Sequence, residues 1–283
     1  MSLAVIADAE KILAETPGLK HHRLLVLSQK ALAARDGERW ELAQKTYREV
    51  DDLLAGASDK QMASIWSRIR VRLGEASSAL GGEKYEEALA LLDEVDRWAE
   101  AVRGEESAGD VRPILSDVLP FGVEEVQRIA WGLRAHANAG VRRYDAASRA
   151  MKLRRASLEA RFSSEELDED LLELAYTEYQ LAQFAAGARR IDAFDEALER
   201  GLVWLDRYRE NTGTPSGVLP LERRLLQEYA EAHLVRKRPL EDMSLDLRKR
   251  LEVSYASMCT NPSPEWAADR RLFGVYLALL DLE

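Results

Sequence analysis

The chain has 283 residues, 46% of them apolar, and a formal net charge of -10, which supplies core enough for one elongated array or two compact domains. That charge argues against nucleic-acid or anionic-membrane binding driven by net charge, because phosphates are repelled overall. A single cysteine, Cys259, excludes an intramolecular disulfide framework and a cysteine-based metal site, and fits a reducing compartment.

The start of the chain, Met1-Ser-Leu-Ala-Val-Ile6, has no basic leader and meets Asp8 and Glu10 at once, so no secretory signal is expected. The longest apolar run, 273–280, is far short of the roughly 20 residues that span a bilayer. A cytoplasmic chain without membrane partners is the expectation.

Helical periodicity runs nearly throughout, no segment alternates as a strand does, and prolines stand where helices stop or begin. A first helix is expected over 4–15, ending at Pro17-Gly18. A first hairpin pairs 20–35 with 38–54 across Asp36-Gly37, and a second pairs 60–80 with 84–102 across Gly81-Gly82. Glycine suits these turns if it takes the left-handed backbone that closes a helix. Residues 104–120, with Gly104, Gly109, Pro113 and Pro120, read as a connecting segment. A third hairpin pairs 123–139 with 142–161, turning at Gly140.

A fourth opens with Ser163 and Glu166 as a capping box and pairs 165–186 with 192–209, after which 211–217 reads as an exposed loop. Helices over 221–235 and 245–258 form a degenerate fifth pair. Ser263-Pro264 then starts a last helix carrying Trp266, Leu272, Phe273, Tyr276, Leu277, Leu280 and Leu282. That helix either seals the core or offers a docking surface, including for a homodimer. The expected organisation is two N-terminal hairpins over 1–103, a connection over 104–120, and C-terminal hairpins with a capping helix over 121–283.

A repeat underlies the hairpins. Ala31/Trp40/Ala43, Ala76/Tyr85/Ala88, Ala135/Tyr144/Ala147 and Ala185/Phe194/Ala197 share one spacing. Small residues let helix backbones approach, and an aromatic just past a turn fills the gap between them. Residues 37–53 laid over 82–98 give seven identities in seventeen positions, where chance gives about one or two.

A small residue, a glycine turn, an aromatic, an alanine and a further large residue resemble the tetratricopeptide repeat. The match is clearest in Ala31, Gly37, Trp40, Ala43, Tyr47 and Val50, and in Ala76, Gly82, Tyr85, Ala88, Leu92 and Val95. In the third copy Trp131, Ala135, Tyr144 and Ala147 fit, while Arg154 stands where a small or apolar residue is usual. The copies begin 45, 59 and 50 residues apart, more than the family's unit of about 34, so longer helices or irregular connections are expected. The resemblance covers about 25–205. It implies an all-α, right-handed tetratricopeptide-like α-solenoid of antiparallel hairpins, about 11–12 helices in all, with a groove lined by the first helix of each hairpin that receives a partner's peptide or helix. Carried over by residue, the groove candidates are Ser28, Gln29, Arg70, Ser77, His136, Tyr179, Gln183, Arg189 and Arg190. The lysine and asparagine pattern that clamps a chaperone's C-terminal carboxylate is not found at these positions.

Signals for catalysis are weak. His21, His22, His136 and His233 form no HExxH or ExxH pattern, and Glu231 and His233, two apart, fall on different helix faces. Asp51-Asp52 lacks a third carboxylate one turn on, and Asp192, Asp195 and Glu196 suit a helix N-terminus. No phosphate-binding glycine loop or nucleophile elbow appears, and Cys259 has no basic neighbour in sequence. No metal and no cofactor are expected.

Arg142, Arg143, Arg149, Lys152, Arg154 and Arg155, with Arg134 before them, form a basic patch followed by acidic 163–170. It either grips an acidic or phosphorylated partner or is neutralised across the hairpins. Lys237, Arg238, Arg248, Lys249 and Arg250 make a second basic cluster. The primary reading is a non-enzymatic adaptor or regulator, a scaffold for protein–protein interaction through the groove. The alternative is a ligand-responsive regulator whose basic patch takes a phosphorylated or acidic partner or nucleic acid, and a helical metal–carboxylate enzyme comes last.

Overall fold

The computed structural model describes residues 3–14, 20–55, 62–106, 122–214, 220–236, 245–260 and 267–280, which form twelve helices and no strand. In chain order these are α1 (Leu3–Ala14), α2 (Lys20–Asp36), α3 (Trp40–Ala55), α4 (Met62–Gly81), α5 (Tyr85–Glu106), α6 (Val123–Gly140), α7 (Tyr144–Glu165), α8 (Asp168–Gly187), α9 (Ile191–Thr212), α10 (Pro220–Arg236), α11 (Leu245–Thr260) and α12 (Ala267–Leu280). The all-α architecture of stacked hairpins agrees with the sequence. Two compact units result, Met1–Arg154 and Arg155–Glu283, and the division falls inside α7. Residues 107–120 of the expected connection lie outside the described residues.

In the first unit, each helix from α1 to α6 packs on its sequence neighbour, and α4 also meets α2 and α6. The repeat alanines Ala31, Ala43, Ala76, Ala88, Ala135 and Ala147 are all 0% exposed, so the small positions do bring backbones together. One core gathers Leu27, Ala31, Ala43, Tyr47 and Val50 with Val71 of α4; a second joins Ile69, Leu73, Leu92 and Val95 to Val123, Val126 and Ala130 of α6.

The turns follow one hydrogen-bond pattern that corrects the expectation about glycine. The amide of Arg39 donates to Ala34 O, Lys84 to Ala79 O, Arg143 to Asn138 O and Arg190 to Ala185 O. The left-handed residue is the one before each donor: Glu38 (φ 55°), Glu83 (60°), Arg142 (60°) and Arg189 (59°). The glycines serve packing instead. A Cβ on Gly81 would lie 2.6 Å from the Trp40 ring, and one on Gly140 2.4 Å from the Tyr85 ring. The aromatics of the first two hairpins therefore rest where the next hairpin's first helix ends in a residue without a side chain.

Superposing the four turns also corrects the fourth repeat. Arg189 aligns with Arg142, so the counterpart of Ala135, Tyr144 and Ala147 is Ala182, Ile191 and Phe194, three residues before the expected Ala185, Phe194 and Ala197. Phe194 is 1% exposed and occupies the slot that alanine fills in the earlier copies.

In the second unit α8 and α9 form the main hairpin, with α10 against both and α12 against α10 and α11. The expected capping box is absent. Ser163 lies within α7 and donates to Glu159 O at 2.8 Å, while α8 begins at Asp168 after Leu167, which makes no side-chain cap. Phe273 of α12 is 0% exposed, so this helix buries at least part of its apolar face within its own unit; Trp266 and Leu282 lie outside the described residues. Among the described residues no helix is long and apolar enough to cross a membrane.

Candidate functional site

Four residues of α4, namely Arg70, Leu73, Gly74 and Ser77, recur at i, i+3, i+4 and i+7 and so share one helix face. With Leu32 and Arg35 of α2, Tyr47 of α3, and Val126, Ile129 and Leu133 of α6, they line a cavity of about 220 Å³. Apart from Tyr47, every lining residue comes from the first helix of one of the three hairpins in this unit. Gly74 lets the Tyr47 ring form the floor: a Cβ there would lie 2.4 Å from Cζ of Tyr47.

The walls are apolar with a few donors. Arg70 is half-buried and has no hydrogen-bond or ion-pair partner among the described residues; burial pushes its guanidinium below its ordinary value. Arg35 is tied to the carboxylate of its neighbour Asp36 at 3.2 Å. Burial raises the Tyr47 phenol, and the charge of Arg35 partly offsets this. No lining side chain is acidic, in a chain whose net charge is -10.

Two solved structures resemble the fold of this chain. One is described as nearly identical tetratricopeptide-like repeats of a putative kinesin light chain from Podospora anserina, with TM-score 0.58 and 16% identity, covering 85% of this chain and 98% of that one. The other is the apo form of RapI, with TM-score 0.58 and 11% identity, covering 98% of this chain and 88% of that one. The fold is tetratricopeptide-like. No family model matches the sequence, and no curated protein is similar to it.

Within the tetratricopeptide-like frame, of the groove candidates Arg70 and Ser77 line the cavity, while Ser28 and Gln29 sit about one turn before Leu32 on α2 without lining it. Ser28 donates to Leu24 O at 2.8 Å, and His136 Nδ1 lies 2.8 Å from Gly132 O, so both bond to their own helix. In the second unit Tyr179 and Gln183 come together: Gln183 Nε2 donates to the Tyr179 hydroxyl at 2.8 Å and to Glu228 Oε1 at 3.2 Å. Burial first, and then the Glu228 carboxylate of α10, push the Tyr179 hydroxyl up to about 12. Arg189 and Arg190 stand in the α8–α9 turn, exposed and off the helix face.

Sequence reasoning missed Leu32, Leu73, Ile129 and Leu133, yet a signal was present. Counted from the first alanine of each copy, Arg70 and Ile129 share offset -6, Gly74 and Leu133 share -2, and Leu32 and Ser77 share +1. With the corrected fourth register, Tyr176, Tyr179 and Gln183 fall at -6, -3 and +1 from Ala182.

The basic patch is partly consumed by ion pairs. Arg134 holds Asp93 and Asp96, each at 2.6 Å, and Arg143 holds Glu86 at 2.9 Å. Arg155 reaches the fully buried Glu178 at 3.1 Å, and Arg154 packs over Gly132. Arg142, Arg149 and Lys152 are exposed. In the second cluster Arg248 pairs with Glu252 and Arg250 with Asp206, while Lys237 and Arg238 lie outside the described residues. Asp51 is buried between Arg68 and Arg72 at 2.9 and 2.8 Å. Among the described residues no three histidine, cysteine or acidic side chains converge as a metal site would require.

Proposed function

We propose that this chain is a non-catalytic interaction protein, an adaptor or regulator that receives a segment of a partner protein along the first helices of its hairpins, in the first unit on α2, α4 and α6. The observation that carries this reading is the cavity. Its lining alternates apolar side chains with a few directional donors, the composition with which a groove grips a peptide or helix by anchoring side chains. A charge-driven reading is weaker, because carboxylates of neighbouring helices already hold Arg134, Arg143 and Arg155.

The test is occlusion. Ser77 stands on the cavity wall two turns from Arg70, and tryptophan there adds bulk at that wall. With a photoreactive side chain at Leu32, the otherwise wild-type protein should cross-link a discrete partner in extract of its source cell. Ser77→Trp should abolish that cross-link while leaving helicity and unfolding midpoint unchanged. A cross-link that survives Ser77→Trp, or one obtained equally from Lys152, would sink the groove reading.

A further inference from the structure

We infer that the cavity on α2, α4 and α6 seats an acidic side chain of the partner segment on Arg70, next to an aliphatic side chain of the same segment, an inference that rests on the groove reading. Arg70 is a half-buried cation that the fold leaves without a counter-charge among the described residues. Its neighbours on the same helix show the contrast: Arg68 and Arg72 share Asp51, and Arg72 also holds Glu75 at 2.6 Å. A cation partly withdrawn from water with nothing to compensate it is costly, and a carboxylate arriving in the complex removes that cost. The surroundings agree with such a guest. The Ser77 hydroxyl lies on the same face as Arg70, the Tyr47 phenol closes the floor, and Leu73, Ile129 and Leu133 supply an apolar wall.

Size and charge select among acids. At about 220 Å³ the cavity is below the roughly 300–1,000 Å³ that enclose a small-molecule ligand, and it suits side chains projecting from a longer chain. A doubly charged phosphate calls for several cations at once, and Arg35 is already engaged by Asp36. One guanidinium in an apolar setting fits the single charge of a carboxylate.

The experiment pans a random displayed-peptide library on the full chain and on its Arg70→Gln, Arg70→Lys and Ser77→Trp variants, after circular dichroism shows all four equally helical. Peptides kept by the wild type should pair Asp or Glu with Leu, Ile, Val or Met. Chosen binders should lose about tenfold in affinity on Arg70→Gln, less on Arg70→Lys, and essentially all binding on Ser77→Trp. Binders blocked by Ser77→Trp but showing no acidic preference, or an acidic preference undiminished by Arg70→Gln, overturn the inference and leave the groove reading standing. Binders indifferent to Ser77→Trp overturn the groove reading itself. Recovery of no peptide, with hexanoate protecting the chain against unfolding in an Arg70-dependent manner, overturns the polypeptide occupant.

Discussion

At the scale of single residues, Gly81 and Gly140, which end the first helices of two hairpins, are constrained by contact. The Cβ that valine adds at Gly81 must displace the fused ring of Trp40, which lies within 2.6 Å. Overpacking of this kind costs about 1–3 kcal/mol, more than the roughly 1 kcal/mol that glycine forfeits to better helix formers. Gly81→Val should therefore lower the urea midpoint, and a Trp40→Leu background should absorb most of the loss. An undiminished loss in that background would mean that the ring is not what glycine accommodates. Tyr179 makes a different prediction. Its hydroxyl titrates near 12 in the fold against an ordinary value of 10.0, so the fold favours the protonated phenol. The associated stability is complete below about pH 10 and drains away as pH rises from there through the folded value. Unfolding curves across this window should flatten in Tyr179→Phe, and an identical slope in both proteins would rule out Tyr179 as its source. The alanines and aromatics were legible because each reports a local packing need. The left-handed residues were not, since Glu38, Glu83, Arg142 and Arg189 carry no glycine signal and are set by the turn's hydrogen bonds.

At the scale of helices, the decisive difference between sequence and structure is a shift of three residues. Ala185, Phe194 and Ala197 reproduce the spacing of the earlier copies, yet the turn at Arg189 pairs Ala182 with Ala135. A shift of three stays near the same helix face, which is why alanine spacing alone could not separate the registers. In its true register α8 also buries a charge that the pattern never flagged: Glu178, 0% exposed, takes Arg155 of α7 at 3.1 Å and Arg200 of α9 at 3.0 Å. One carboxylate thus ties three successive helices. Removing it strips two partly exposed guanidinium groups of their shared buried partner, while Arg155 keeps Glu159 and Arg200 keeps Glu196, a loss at or below the low end of the about 3–5 kcal/mol for a buried pair broken on one side. Glu178→Ala should destabilise the second unit by that order, whereas Glu196→Ala, which removes only the exposed partner of Arg200, should cost little. Equal effects from both, measured by chemical unfolding, would mean that burial does not set the worth of these bridges.

For the whole molecule, arginine is spent largely on joining helices: Arg48 to Glu75 at 2.7 Å, Arg134 to Asp93 and Asp96, Arg209 to Glu222 at 2.5 Å. What remains is a net charge of -10 around a cavity whose own lining has no acid. These two facts act over different distances. The net charge repels an acidic peptide from afar and is screened over about 10 Å at 0.1 M salt, whereas Arg70 acts only at contact. The association rate of an acidic, aliphatic peptide should therefore rise as salt goes from low to physiological strength, and its dissociation rate should change little. Stopped-flow mixing with a fluorescent binder recovered from the library measures both. A reader of phosphate or nucleic acid that used exposed Arg142, Arg149 and Lys152 would behave oppositely, its association slowing steeply with salt as steering is screened. An association rate that falls with salt, and that Arg149→Glu with Lys152→Glu removes, would move the binding site from the groove to the patch.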